Sequence, residues 1–266
     1  MSNLSYPEKE RSVAIFLNRI VYQLSRHWLP IFTVLLLLFV GLPWLAPVFM
    51  QLGWTGPAKA IYLFYSTQCH QMPQRSFFLF GPQQMYSLSA IQSAWQPSNN
   101  PLILRQFIGN AEMGWKVAWS DRMVYMYTAL LLAGLAFWPF RRKVKPLPWW
   151  GVILLLLPMG IDGLTHMVSD MTGGIGGGFR FYNEWLAILT SNAFPATFYV
   201  GDAFGSFNSW MRILSGLFFG IGLAWFIYPY LNAGFCDTAK QIETKFAQSE
   251  KELCVTQLPK NGTSNE

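Results

Sequence analysis

The chain alternates long apolar runs with polar segments on the length scale of a bilayer. Four runs approach the ~20 apolar residues that a helix needs to cross ~30 Å of hydrocarbon: Pro30 to Met50, Met123 to Phe140, Trp149 to Met167 and Trp210 to Leu231. A fifth, Pro57 to Gln68, is about half that length and suits a re-entrant or interfacial half-helix. Ahead of the first run, Val13, Phe16, Ile20 and Leu24 recur at spacings of three and four, with Arg19 and Arg26 off the stripe. That spacing predicts a basic amphipathic helix, suited to an anionic leaflet or a partner helix. Beyond Leu231 the pattern returns more weakly, with Ile242, Phe246 and Leu253 set among charges. The expected fold class is an all-α integral membrane protein of about four transmembrane helices, with the half-helix, the N-terminal amphipathic helix and a polar C-terminal tail. By residue number this divides into an arm (1–29), a membrane domain (30–231) with an outer-side cap (51–122 and 168–209), and a tail (232–266).

Composition agrees with the pattern. The 266 residues are 52% hydrophobic and 12% charged, about half the charged share of ordinary soluble domains. The start, "MSNLSYPEKERS", lacks the basic, apolar, small-residue order of a cleaved signal, so the first apolar run is expected to stay as an anchor. The net charge of +6 is distributed unevenly. Lys9, Arg11, Arg19 and Arg26, then Arg141, Arg142, Lys143 and Lys145, then Lys240, Lys245, Lys251 and Lys260 cluster outside the spans. Cytoplasmic loops carry such excess, which predicts both termini on the cytoplasmic side. The basic residues therefore mark a membrane face and give no sign of a nucleic-acid partner. The closing "PKNGTSNE" is expected to be disordered, and its Asn261-Gly262-Thr263 acceptor to stay unglycosylated on that side.

Against this scaffold a few polar groups stand out, because ionisable residues within spans are costly. Asp162 and His166 are four apart, hence on one helix face, and can offer two metal ligands or an acid with the base it orients. Asp121 and Arg122 open the second span at the corresponding depth. Cys69 and His70 follow the half-helix, and Pro73 supplies a break that lets them line a polar cavity, with Arg75 just beyond. The structural alternative is that Asp121–Arg122 and Asp162–His166 are neutralised pairs that bind the spans together. Cys69, Cys236 and Cys254 make no disulfide framework.

Five glycines between Gly173 and Gly178 precede Arg180. They fit either a flexible external loop or a backbone cradle in which Arg180 binds a phosphate or carboxylate. "YNEWLAILT" at Tyr182 and "FNSWMRILS" at Phe207 echo each other, suggesting two helix starts capped by Asn183 and Asn208 and anchored by Trp185 and Trp210. Arg212, inside the last span, needs a partner such as Asp202 or Asp162. Gly216, Gly220 and Gly222 offer a small-residue packing face. Arg105, Glu112 and Lys116 are candidates to border an opening for a lipid headgroup.

The combination "YSTQCHQMPQRSFFLFG", "GWKVAWSDRMVYMY", "IDGLTH" and "SWMRILSGLFFGIG", from about Tyr62 to Pro229, resembles the uncharacterised prokaryotic membrane-protein family known as domain of unknown function 2085. The resemblance implies a bacterial or archaeal cytoplasmic membrane and no particular activity. Family members commonly carry a cysteine ahead of the second span, where this chain has Ser120. A metal shell would then consist of Cys69, His70, Asp162 and His166, adequate for zinc or iron. The functional expectation is a polar Cys/His/Asp/Arg site near the outer leaflet, binding metal or acting on a lipidic or quinone-like substrate. In the catalytic version, Asp162 and His166 act with Arg75, Asp121 and Arg122. The alternative is a scaffold subunit that docks membrane-protein partners.

Overall fold

The computed structural model describes residues 8–256, with side-chain surroundings for 12–248. The C-terminal "PKNGTSNE", with its glycosylation triplet, and the side chain of Cys254 lie outside that description.

The elements run α1 (Glu8–Arg26), α2 (Trp28–Gln51), α3 (Thr55–Ser66), a 3-10 turn (Pro73–Arg75), β1 (Ser76–Leu79), α4 (Leu88–Ala94), α5 (Pro101–Leu104), β2 (Gly109–Asn110), β3 (Gly114–Ser120), α6 (Asp121–Phe140), α7 (Trp149–Gly173), α8 (Phe179–Tyr182), α9 (Glu184–Leu189), α10 (Ala196–Tyr199) and α11 (Phe207–Thr256). Among the described residues, α2, α6, α7 and α11 are long and apolar enough to cross a membrane. They are the four runs expected from the sequence. Their helical conformation keeps the backbone hydrogen-bonded within each segment, which a bilayer demands. Leu35, Leu37 and Leu38 on α2 and Ile153, Leu154 and Leu157 on α7 face outward.

The ends differ from expectation. Helix α11 does not stop at Leu231; it runs on to Thr256, 50 residues in all, with Pro229 inside it. At 1.5 Å per residue that is about 75 Å, more than twice the hydrocarbon thickness, so its second half extends beyond the membrane slab. The α1 helix packs against this extension, where the Tyr22 hydroxyl donates to Glu243 at 2.6 Å. Much of its apolar face, including Val13, Phe16, Leu17 and Ile20, remains exposed. The half-helix is α3, 12 residues long, packed against α2.

The cap contains a feature the hydrophobic pattern did not announce, an antiparallel three-stranded sheet in the order β1-β3-β2. Its register pairs Ser76 with Ser120 and Phe78 with Lys116, with an irregularity between Ser76 and Phe78. Strand β3 sinks into the helices: Val117, Ala118 and Trp119 are fully buried. Trp119 stacks on Tyr127 of α6 and meets Phe39 of α2 and Tyr65 of α3 edge-on. Four elements therefore lock around one aromatic group, and β3 delivers Asp121 to the cap end of α6.

Candidate functional site

The loop after α3 is held by backbone chemistry. Gln71 adopts the left-handed conformation (φ 51°), which a non-glycine residue keeps only when its surroundings enforce it. Its side-chain amide donates to the carbonyls of Tyr62 and Ala118, while its own carbonyl accepts from the Lys116 ammonium at 2.8 Å. Lys116 is fully buried and also donates to the Arg105 carbonyl, so it clamps the cap and does not border an opening. Burial pushes its ammonium down to about 7, with the Arg105 charge adding to the effect and Cys69 opposing it.

This clamp aims Arg75 at two carboxylates. Its Nη1 and Nη2 reach Asp170 at 3.0 and 3.2 Å, and its Nε reaches Asp202 at 2.8 Å. Asp202 accepts on its other oxygen from Arg212 Nη1 at 2.7 Å, and Arg212 Nε grips both oxygens of Asp121. Arg212 and Asp121 are buried to 2% and 0% exposure. Such a pair persists because the Arg212 guanidinium is met by Asp121 on one side and Asp202 on the other. Burial alone would raise the Asp202 carboxyl, but Arg75 and Arg212 outweigh it and hold it well below the usual carboxylate range. A second set lies beside the first. Asp162 accepts from Arg122 at 2.6 Å on one oxygen and from Arg180 at 2.7 Å on the other. Arg180 also meets His166 Nε2 at 3.3 Å.

A cavity of about 590 Å³ opens beside these charges. Cys69, His70, Arg75, Arg122, His166, Asp170 and Arg212 form its polar wall; Met72, Met123, Met167, Met171 and Ile175 form its apolar wall. The three separate stretches singled out from the sequence thus meet around one space. Cys69 Sγ lies 3.4 Å from Ser120 Oγ, so the position where the resemblance led us to expect a second cysteine faces the first.

The zinc or iron shell is not assembled. Among the described residues, no three His, Cys, Asp or Glu side chains converge to hold a metal. Both Asp162 oxygens are taken by guanidiniums, and Asp162 stands 3.9 Å from His166 Nε2. The i, i+4 spacing therefore serves an arginine-bridged network. Arg180 turns inward onto Asp162, and its backbone N–H donates to Ser169 Oγ. The glycines permit close packing there: a Cβ on Gly178 would overlap Ser169. Asn183 and Asn208 are not surface caps. Both are buried, and both donate to the Arg180 carbonyl. Asp170 was missed, although it continues the series 162, 166, 170 along one face of α7. For Arg212, the expected choice between Asp202 and Asp162 resolves to Asp202 together with Asp121.

Four apolar spanning helices bearing a charged, cavity-containing cap define a multi-pass integral membrane protein that sits in a lipid bilayer. Residues 112–226 match the model of the family described as "Predicted membrane protein", domain of unknown function 2085, so the resemblance holds over that interval, which leaves out the Cys69–Ser76 motif. That interval includes Asp121, Arg122, Asp162, His166, Asp170, Arg180, Asp202 and Arg212. An uncharacterised protein of Methanocaldococcus jannaschii is 28% identical over 155 residues, covering 55% of this chain and 76% of that protein. No solved structure matches.

Proposed function

We propose that the protein binds a membrane-derived amphiphile, lipidic or quinone-like, in the cavity under its cap, at the non-cytoplasmic end of the bundle. One observation carries the reading: Cys69, His70, Arg75, Arg122 and His166 share a single space with an apolar wall of methionines and Ile175. Its ~590 Å³ falls within the ~300–1,000 Å³ usual for small-molecule sites. On the apolar side, Met167 and Met171 are 53% and 78% exposed, which gives an acyl or isoprenoid tail a route along α7. On the other side, His70 and Gln68 are exposed among polar neighbours. Arg75, Asp121 and Asp170 serve to hold the wall in place, because their charges are already matched. The test uses Gly163, which lines the cavity and whose Cβ would stand 3.3 Å from Arg122 Nη1. Native mass spectrometry of the purified protein should show a retained amphiphile, and Gly163→Leu should lose it while keeping the melting temperature. Absence of any amphiphile in the parent, or its retention in Gly163→Leu, would overturn the reading.

A scaffold role has separate support in the exposed apolar face of α1. Stoichiometric co-purification of a membrane-protein partner, lost on Phe16→Ser, would favour it; a lone protein with a filled cavity would count against it.

A further inference from the structure

We infer that the polar end of the ligand is an anionic, oxygen-rich group such as a phosphate or carboxylate, received by Arg122 with His166 beside it. The inference rests on the amphiphile reading above and adds the chemical class of the headgroup.

The first argument is hydrogen-bond accounting on the cavity wall. Arg75 and Arg212 also line the space, but each already uses its Nε, Nη1 and Nη2 on aspartate side chains or the Asp202 carbonyl. Arg122 differs. Its Nη2 donates to Asp162, whereas its Nε is buried without a partner and its Nη1 has none among the described residues. His166 reaches the same conclusion by another route. Arginine can only donate, so His166 Nε2, 3.3 Å from Arg180 Nη2, is the acceptor and the neutral ring carries its proton on Nδ1. That Nδ1–H is buried with no acceptor. The unmet groups on Arg122 and His166 are therefore all donors, and buried donors are normally paired. Arg122 Nε and His166 Nδ1 are enclosed by protein in this conformation, so Arg122 Nη1 is the donor that a ligand in the cavity meets, and that ligand must bring an acceptor.

The second argument is charge placement. Arg122 and Arg180 share one carboxylate, Asp162, leaving that set at +1. Arg75 and Arg212 face three, Asp121, Asp170 and Asp202, leaving the neighbouring set at −1. The eight groups together are neutral, yet the charge is separated, and the unfilled donor of Arg122 sits on the positive side. An anion held by a guanidinium gains a charge-assisted hydrogen bond, roughly twice as strong as a neutral one. A quinone carbonyl also accepts from the guanidinium, but only the donor is charged, and the quinone brings no net charge to match the excess.

Three probes separate the possibilities in protein purified in a neutral maltoside detergent: dodecyl phosphate, a decyl-substituted benzoquinone and inorganic phosphate, each measured by calorimetry. Dodecyl phosphate is expected to bind about tenfold or more tighter than the quinone, a comparison on the unaltered protein that needs no variant to fold. Arg122→Gln, in which Arg180 still holds Asp162, should weaken dodecyl phosphate by about 10–100-fold and leave the quinone within about twofold. Arg122→Lys should recover part of the loss. A quinone that binds as tightly as dodecyl phosphate, or an Arg122→Gln effect equal on both, overturns the anionic headgroup and leaves the cavity standing. No binding of either amphiphile, or binding unchanged by Gly163→Leu, overturns the cavity reading instead. Inorganic phosphate binding as tightly as dodecyl phosphate would keep the anion inference and remove the tail from the ligand.

Discussion

The side chains that hold the cap end together are ions placed where ions are expensive. Arg212 joins Asp121 at the head of α6 to Asp202 in the loop before α11, at 2% exposure. Truncating one member of a buried pair leaves an uncompensated charge, typically costing about 3–5 kcal/mol. Arg212→Met strands Asp121 and leaves Asp202 to Arg75 alone, so we expect a loss of that order, read as a fall in melting temperature in detergent. The double variant Arg212→Met with Asp121→Leu should recover part of it, since an apolar replacement of a whole pair is often tolerated. Lys116 makes the complementary case for pH. Its ammonium titrates at about 7 in the fold, against 10.5 when unperturbed. Between those values the unfolded chain binds the extra proton and the native state does not, so stability rises with pH across that window. A neutral amine still has two N–H groups for the Gln71 and Arg105 carbonyls. Hydrogen exchange of the β3 amides should slow, relative to its intrinsic rate, between pH 7 and pH 9. In Lys116→Met that slope should flatten, and the cap should open more readily because two buried carbonyls lose their donor.

Between elements, close approach of helices does what ions do at the cap. A Cβ on Gly220 would overlap the Met126 carbonyl, and one on Gly216 would press on the Arg122 carbonyl at 3.0 Å, so both glycines lie against α6. Gly222 faces α7, its Cβ position 2.8 Å from Leu155. Gly220→Leu should separate α6 from α11, lowering folded yield and melting temperature more than Gly160→Leu, where nothing lies within 4 Å. The spans and this glycine face were legible in the sequence, because a bilayer imposes a minimum apolar length and helix packing there favours small residues. The sheet was not. In "GWKVAWS" the residues from Val117 to Trp119 are buried on both faces, which erases the alternation by which a half-exposed strand is recognised. The site was legible in part: 162 and 166 announce themselves by spacing, as Asp170 would have done had the series been continued. The bridges from Arg75 to Asp202 and from Asp121 to Arg212 span 127 and 91 positions. Spacing along one helix carries no signal for such pairs, and their geometry also decides that Asp162 meets arginines before any metal.

At the scale of the whole molecule, the two ends of the bundle handle charge in opposite ways. The cap end matches four arginines with four aspartates in contact. The other end gathers the basic loop after α6, α1 and the second half of α11: Tyr22 donates to Glu243, Asn232 to the Arg141 carbonyl and Trp225 to the Lys145 carbonyl. Arg141, Arg142, Lys143 and Lys145 thus join the α11 extension in one compact basic region. Dense Lys and Arg in short loops favours retention on the cytoplasmic side, and on that ground we propose that this end faces inward and the cavity outward. Cys236, exposed on α11 in the basic region, reports on this directly. With Cys69→Ser and Cys254→Ser in place it is the sole thiol of the chain. A membrane-impermeant maleimide should then label Cys236 in inside-out vesicles and leave it unlabelled in intact cells. Asn99→Cys, at an exposed cap position on the rim of the cavity, should give the reverse pattern in a background without the native cysteines. If both sites label from the same side, the four-span arrangement fails. If both patterns invert, the bundle stands but the ligand must enter from the cytoplasmic leaflet.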